Sequence, residues 1–193
     1  MAVEKKDKVY EEIDRELLST EREGIEDLLV AMQDMGFYEA PASTRFHGSK
    51  AGALAEHSLN VLNCARTIAK ALNGKKWYEE HKNSIIICAL LHDLGKCGQF
   101  GKPLYVPKLL KDGKQSESQP YATNTDLMTL PHEVVSCIEA TKYIDLTEDE
   151  QLAIAWHNGL YGCFKYDIQG KETELYMIIH FADMWASRVI EKE

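Results

Sequence analysis

The chain has 193 residues, of which 45% are apolar and 27% are charged, and its formal net charge is −9. This length suits one domain with a sizeable core, and the composition excludes a disordered chain. The longest uninterrupted apolar run, Ile85 to Leu91, is too short for a membrane span, and the first residues do not form a secretory signal. We therefore expect a cytoplasmic protein.

The negative charge is concentrated near the N-terminus. Residues 1–35 hold eleven acidic and five basic side chains, a net of −6, which leaves −3 for the rest of the chain. A broad basic surface for nucleic acid is therefore not expected, although a small pocket for a phosphorylated ligand is compatible with this charge. The cysteines are widely spaced and form no C-x-x-C pair, so we expect five free thiols in a reducing compartment. They are Cys64, Cys88, Cys97, Cys137 and Cys163.

Helical signals dominate the chain. Apolar residues recur at a spacing of three to four, and the sequence Thr147 to Glu150 is a capping box that opens a helix running to about His157. Gly95 is interpreted as the stop signal of a buried helix. The other predicted helices are 3–17 and 21–35, both acidic, then 52–72, 78–94 and about 172–191.

An irregular stretch at about 96–130 interrupts the helices. Its Asp112-Gly113 turn signal lies between short segments that suit strands, 104–106 and 119–121, so a small hairpin is compatible with this insertion. The domain prediction is a single unit over residues 1–193, mostly α-helical, with acidic helices over 1–40 and a core over 41–193.

Histidines and carboxylates carry the candidate chemistry. His92 and Asp93 directly follow the apolar run Ile85 to Leu91, so they are expected at the end of a buried helix, and a buried carboxylate needs a cation or strong donors. His57 lies on the apolar face of its helix, and Asp183 lies in another apolar helix. A divalent metal satisfies two buried carboxylates and two inward histidines better than isolated hydrogen bonds do. Mixed imidazole and carboxylate donors suit an open site for Zn, Mn, Fe or Co.

These residues resemble the H…HD…D signature of the HD superfamily of metal-dependent phosphohydrolases. The string Ala89-Leu-Leu-His-Asp-Leu-Gly-Lys96 is its most specific part, and the segment from Pro41 to His57 is similar to a bacterial subgroup that includes an exoribonuclease nuclease domain. The resemblance covers about residues 41–190 and implies an all-α HD-domain helical bundle. The separate oligonucleotide-binding domain of that exoribonuclease has no counterpart in residues 1–40.

Two further histidines match the order of binuclear HD phosphodiesterases, H…HD…H…H…D. The resemblance therefore implies metal ligation by His57, His92, Asp93, His132, His157 and Asp183, with one or two divalent ions of Mn, Fe, Zn, Co or Ni. Asp93 is then the natural shared ligand and the central catalytic residue. The Gly-Tyr-Pro extension of cyclic-dinucleotide phosphodiesterases is missing, because the chain reads Gly159-Leu-Tyr-Gly-Cys163.

Other residues are candidates for substrate contact. Lys96 lies one turn beyond the ligand pair and is a candidate catalytic and phosphate-binding residue, or else a cation at the C-terminal end of the helix. Arg45 and His47 precede the first ligand helix and are candidates for phosphate binding or proton transfer, or else belong to a solvated loop. His180, one turn before Asp183, is a candidate to orient that carboxylate. The insertion lysines suit either a solvated loop or a lid over an anionic substrate. They are Lys102, Lys108, Lys111 and Lys114.

Three functions follow from the resemblance. The first is metal-dependent hydrolysis of a phosphoester or phosphoanhydride bond in a nucleotide or nucleotide-derived small molecule by metal-activated water. The second is a phosphodiesterase or 3′–5′ exonuclease acting on oligonucleotides, and the third is a non-catalytic nucleotide-binding HD module. Net acidity favours the first over the second. The expected partner is a phosphorylated small molecule such as a nucleotide. No membrane is expected, and nucleic acid is the less favoured partner.

Overall fold

A computed structural model of the protein describes residues 2–45, 48–128 and 130–192, with side chains from residue 8 onward. The described chain is mostly α-helical and contains one small sheet, which confirms the predicted fold class. None of the described helices has the length and apolar character that a membrane span requires.

The N-terminal pair of helices is α1 (Ala2–Leu18) and α2 (Ile25–Asp34). The prediction for α1 is confirmed, but α2 begins four residues later than predicted. Gly24 has a φ of 85°, a left-handed conformation that an α-helix does not contain, so the chain turns there before helix α2 starts.

The two longest helices of the remaining chain are α3 (Ala53–Leu72) and α4 (Gly74–Leu91), which pack against each other along their lengths. The predicted stop of α4 at Gly95 is wrong. The α-helix ends at Leu91, Asp93 leaves the helical conformation with φ −107° and ψ 11°, and a 3₁₀ turn, Leu94–Cys97, then includes Gly95. The His-Asp pair therefore lies at the junction of two helices.

The insertion contains the hairpin that the turn signal indicates. Strands β1 (Tyr105–Pro107) and β2 (Tyr121–Thr123) pair antiparallel, with Val106 opposite Ala122. A further bridge joins Leu109 and Gln115 around the turn. Two lysines of the insertion bond within it, since Lys102 donates to the Asp126 carbonyl and Lys108 to Gln119.

Four helices complete the fold. They are α5 (His132–Ala140), α6 (Glu148–Ala155), the short α7 (Lys165–Ile168) and α8 (Glu174–Trp185), with a 3₁₀ turn at Gly159–Tyr161. The capping box of α6 is confirmed, because the Thr147 hydroxyl accepts from the Glu150 N–H and the Glu150 side chain accepts from the Thr147 N–H. The last predicted helix is α-helical only to Trp185 and continues as a π-helix over Ala186–Ile190.

One core joins these elements. Side chains of α1 and α2, such as Leu17 and Leu28, are fully buried in the same cluster as residues of α3 and α4. Helix α3 also packs against α8, and α8 packs against α6. The candidate site lies where five helices meet. They contribute the first turns of α3 and α5, the C-terminal ends of α4 and α6, and the last turns of α8.

Candidate metal centre

Five helices bring the predicted ligand residues together. His57 comes from the first turns of α3, the His92-Asp93 pair from the end of α4, and Asp183 from α8. The other two are His132 at the start of α5 and His157 just beyond the end of α6. Asp93 is 1% exposed and His92 is fully buried, so these polar groups face one another and not solvent.

The two oxygens of Asp93 face two different pairs of imidazoles. Its Oδ2 lies 3.5 Å from the Nε2 of His57 and 3.4 Å from that of His92. Its Oδ1 lies 3.1 Å from the Nε2 of His132 and 3.5 Å from that of His157. The carboxylate therefore lies between two groups of nitrogen atoms, each close enough together to share an ion.

Asp183 completes the first of these groups. Its Oδ1 lies 3.2 Å from the Nε2 of His57. Donor atoms lie within 4.8 Å of one another in three sets: His57, His92 and Asp93; His92, His157 and Asp183; and Asp93, His132 and His157. Because Asp93 and the histidines recur in these sets, the site is one continuous cluster with two adjoining parts.

Each of the four histidines has an acceptor at its other ring nitrogen. The Nδ1 of His92 lies 2.9 Å from the Ala89 carbonyl, and that of His157 lies 2.8 Å from the Ile154 carbonyl. Carboxylates serve the other two: Glu133 Oε2 is 3.2 Å from Nδ1 of His132, and both oxygens of Glu191 are 3.0 Å from Nδ1 of His57. Such acceptors favour a proton on Nδ1 and turn the Nε2 lone pair toward the centre of the cluster.

This arrangement fits a bound cation. Nitrogen lone pairs that face carboxylate oxygens at 3.1–3.5 Å repel them unless a positive charge lies between the two. The Oδ1 of Asp93 is buried and has no hydrogen bond among the described residues. Imidazole nitrogens with carboxylate oxygens are the donor set that Zn and similar divalent metals take in open sites.

In the metal-free protein, protons supply part of this positive charge. Burial lowers the pKa of His57, but its hydrogen bonds to Asp183 and Glu191 outweigh that effect and raise the pKa to about 10. Burial raises the pKa of Asp93, and the nearby Lys96 and His92 outweigh it, so the carboxyl pKa lies well below its usual range. The Asp93 carboxylate is therefore ionised in the metal-free protein and can bind a cation without first losing a proton.

Gly95 allows helix α5 to approach this centre. A Cβ atom at Gly95 would lie 2.2 Å from the His132 carbonyl oxygen and 2.9 Å from the Ser136 nitrogen. The Gly95 N–H also donates to the Ser136 hydroxyl at 2.9 Å. The glycine after the His-Asp pair thus sets the distance between His132 and Asp93.

Comparison with known families adds to this geometry. The family model of the HD domain matches residues 54–163, which is more than half of the chain. This chain belongs to the HD domain family. Searches of curated proteins and of solved structures found no match.

HD domains bind divalent metals, and the family consists in general of metal-dependent hydrolases. The matched HD region includes five of the six predicted ligands and ends before Asp183. The structure brings Asp183 to the same cluster through α8, which packs against α3.

A cavity of about 180 Å³ opens beside the metal centre of this HD domain. His57, His157 and Asp183 line its inner side. Lys96 lines it as well, but its Nζ lies 2.6 Å from Asp93 Oδ2. Although burial lowers the Lys96 pKa, Asp93 raises it further, so this ammonium group is charged and paired with the ligand carboxylate.

The remaining candidates for substrate contact and ligand orientation differ in their relation to the cavity. Ala42 and Ser43 line the cavity, whereas the exposed Arg45 of the same loop is not among its lining residues. His47 lies outside the described residues. His180 does line the cavity, and its Nδ1 lies 2.6 Å from the His157 carbonyl, which is the contact that fixes its ring.

Sequence reasoning missed three residues of this site. Glu191 positions His57, and Tyr161 and Arg188 line the outer side of the cavity. Tyr161 follows His157 in the 3₁₀ turn, and the two later residues belong to the π-helix segment or directly follow it. No periodicity in the sequence indicated that helix α8 changes its winding there.

Proposed function

We propose that this HD protein is a metal-dependent phosphohydrolase that cleaves a phosphoester or phosphoanhydride bond of a nucleotide or nucleotide-derived small molecule. The division of the Asp93 oxygens between two pairs of histidines is the observation that supports this proposal. His57, His92, Asp93 and Asp183 would hold one divalent ion, and Asp93, His132 and His157 would hold a second.

Bound divalent ions lower the pKa of water and polarise phosphoryl oxygens, which is the chemistry that phosphate-ester hydrolysis at neutral pH requires. The chain supplies a fixed set of donors for such ions, because the Nδ1 contacts hold every imidazole in one orientation. Lys96 balances part of the Asp93 charge, and the adjoining cavity gives a phosphate group access to the centre.

The proposed compartment is the cytoplasm. All five cysteines are free, and three of them, Cys64, Cys88 and Cys97, are buried in the core. Free thiols are typical of proteins in a reducing compartment.

Elemental analysis and a hydrolysis assay test the proposed function. Protein purified without chelator should contain Mn, Fe, Zn, Co or Ni, and the metal-loaded sample should release phosphate from mononucleotides or from a dinucleoside polyphosphate. Asp93→Ala should lose both metal and hydrolysis while staying folded, whereas Asp112→Ala on the exposed hairpin turn should keep both. Cleavage of a short oligonucleotide alone would favour the exonuclease alternative, and metal-independent hydrolysis would contradict the proposal.

The number of ions can be counted in the same way. Substitution of His132 by alanine should lower the stoichiometry from about two ions to about one and reduce turnover strongly, since Asp93 then shares its oxygens with one ion only. A single ion in saturated wild-type protein would show that the centre is mononuclear.

A further inference from the structure

One cation of the cavity has no acidic partner among the residues that the structure describes. Arg188 lines the same cavity as Asp183 and Lys96. Lys96 is paired with Asp93, so its charge is already balanced within the metal centre. Arg188 is exposed, and its charge is available to an anion that enters the cavity.

An aromatic ring holds this guanidinium group in place. The Cζ atom of Arg188 lies 5.0 Å from the centre of the Tyr161 ring, within the range of a cation–π contact. Tyr161 also lines the cavity and is 73% exposed. A guanidinium group that lies on an aromatic face keeps the N–H groups at its edge free. Two of these N–H groups are parallel, a fork that can donate to two oxygens of one phosphate group.

The size of the cavity indicates which part of a substrate enters it. Its volume of about 180 Å³ is below the range of roughly 300–1,000 Å³ typical of pockets for drug-sized ligands. A phosphate group fits this space, whereas the volume is small for a whole nucleoside. The side chains of Ser43, Asn158 and Ser187, which also line the cavity, supply further hydrogen-bonding groups.

We propose that Arg188, supported by Tyr161, binds the phosphate group of the substrate in this cavity. The sequence offered Lys96, Arg45 and His47 as candidates for that role. This proposal rests on the proposed function, because it places the phosphate next to the metal centre. The ligand chemistry is a phosphate group that extends from the cavity to a bulkier remainder outside.

The experiment measures the binding of inorganic phosphate to metal-loaded, full-length protein by isothermal titration calorimetry, with metal content determined on every sample. Arg188→Gln should raise the Kd for phosphate on the order of 10- to 100-fold, because a charge-assisted hydrogen-bond donor is lost. Arg188→Lys keeps the charge without the fork and should give a smaller increase. Tyr161→Leu should raise the Kd by roughly 2- to 5-fold through loss of the ring contact.

Lys165 offers a matched control. Its Nζ lies 5.0 Å from the centre of the Tyr166 ring in α7, so Lys165→Gln removes the same charge from a similar exposed contact that does not line the cavity. This variant should bind phosphate within about twofold of the wild type, since an exposed charge outside the site is screened.

The outcomes separate the two proposals. If Arg188→Gln binds phosphate as tightly as Lys165→Gln while metal content and hydrolysis persist, the role of Arg188 is overturned and the proposed function stands. Loss of metal in Arg188→Gln would also overturn it, because the residue would then act on the metal centre. Wild-type protein that binds neither metal nor phosphate would contradict both proposals.

Discussion

At the scale of single residues, the candidate centre depends on which nitrogen of each histidine faces inward. His57 shows this most clearly, because Asp183 contacts its Nε2 at 3.2 Å while Glu191 contacts its Nδ1 at 3.0 Å. Asn60, one turn further along α3, donates to Glu191 at 2.9 Å and fixes that carboxylate. A carboxylate behind a histidine ligand makes the ring a better and more strictly oriented donor.

Glu191→Gln should therefore weaken metal binding at the His57 end of the centre by roughly 10- to 100-fold. Glutamine retains an oxygen that can accept from Nδ1–H but removes the negative charge that strengthens the imidazole donor. Titration with a metal-binding dye on the full chain measures the affinity without requiring hydrolysis.

The exposed Glu172, in the loop before α8, provides the control for this substitution. Glu172→Gln should leave the metal affinity at the wild-type value. Equal metal affinities for the two variants would show that Glu191 does not support His57 as a ligand.

At the scale of elements, the π-helix that follows α8 explains how one segment reaches both nitrogens of His57. In a regular α-helix at 100° per residue, positions 183 and 191 would point about 80° apart. A π-helix, with i→i+5 hydrogen bonds, turns by roughly 82° per residue, about 18° less than an α-helix. Over five residues this reduces the total rotation by about 90°, which cancels the offset of about 80° and places the two positions on one face. The hydrogen bond from the Glu191 N–H to the Ala186 carbonyl is of this wider type.

The contact between α5 and the 3₁₀ turn Leu94–Cys97 gives a second prediction. Gly95→Ala would improve local helix propensity, yet its Cβ atom has to displace the backbone of His132. We expect a loss of roughly 1–3 kcal/mol in the free energy of unfolding from overpacking, and a weaker second metal site because His132 moves away from Asp93. Chemical denaturation and metal counting measure the two effects.

Gly113→Ala, in the open hairpin turn where a Cβ atom meets nothing within 4 Å, is a useful comparison. Its φ of 82° strains the new residue, but the site is distant from the metal ligands. It should lower stability without changing metal stoichiometry. A stable Gly95→Ala protein with full metal content would refute the close-approach explanation.

A partly buried ion pair joins the turn between the N-terminal helices to α6 and predicts a pH dependence. Arg22, in the turn before α2, contacts the fully buried Glu150 at 2.8 and 3.1 Å. Burial raises the pKa of Glu150, but the hydrogen bonds from Arg22 and the Thr147 backbone outweigh it and lower the pKa below its ordinary value. The charged form of Glu150 is therefore favoured by folding.

Glu150→Gln keeps a capping side chain and removes the charge, so it should cost about 1.5–3 kcal/mol at neutral pH. Because the folded-state pKa is lowered, the wild-type advantage should be complete above about pH 4.5 and disappear as the pH falls through the lowered pKa. Unfolding curves at several pH values measure this difference. The exposed Glu148→Gln should change stability by less than about 0.5 kcal/mol, and a pH-independent cost for Glu150→Gln would contradict the linkage.

The elements that could be predicted from sequence are those with a local signal. Apolar spacing was sufficient for α1 and α3, and the Thr147 capping box located α6 because both of its hydrogen bonds are local. The predicted end of α4 was wrong because Gly95 does not end a helix. It allows close contact with α5, about forty residues later in the chain. Likewise, Glu191 and Arg188 depend on a change of helix winding for which the sequence offered no periodic signal.

At the scale of the whole molecule, the candidate ligands join parts of the chain that are distant in sequence. His57 on α3 and Asp183 on α8 are separated by more than half of the chain, and Asp93 lies between them and the histidines of α5 and α6. The core already packs these helices together, but in the metal-free protein the carboxylates where they meet are balanced only by protons and by Lys96. A bound ion should therefore stabilise the packing of five helices at once.

Metal removal gives the prediction that tests this view. An ion that binds only the folded chain adds RT ln(1 + [L]/Kd), or about 4.1 kcal/mol at a free metal concentration 1,000 times the Kd. For a protein of this size, that corresponds to roughly 8–16 °C in Tm. Differential scanning calorimetry of chelator-treated protein should show this decrease, with recovery on adding back the metal, and Asp93→Ala should melt at the same temperature with or without metal. Identical melting of the chelated and loaded wild-type protein would mean that no ion links these helices.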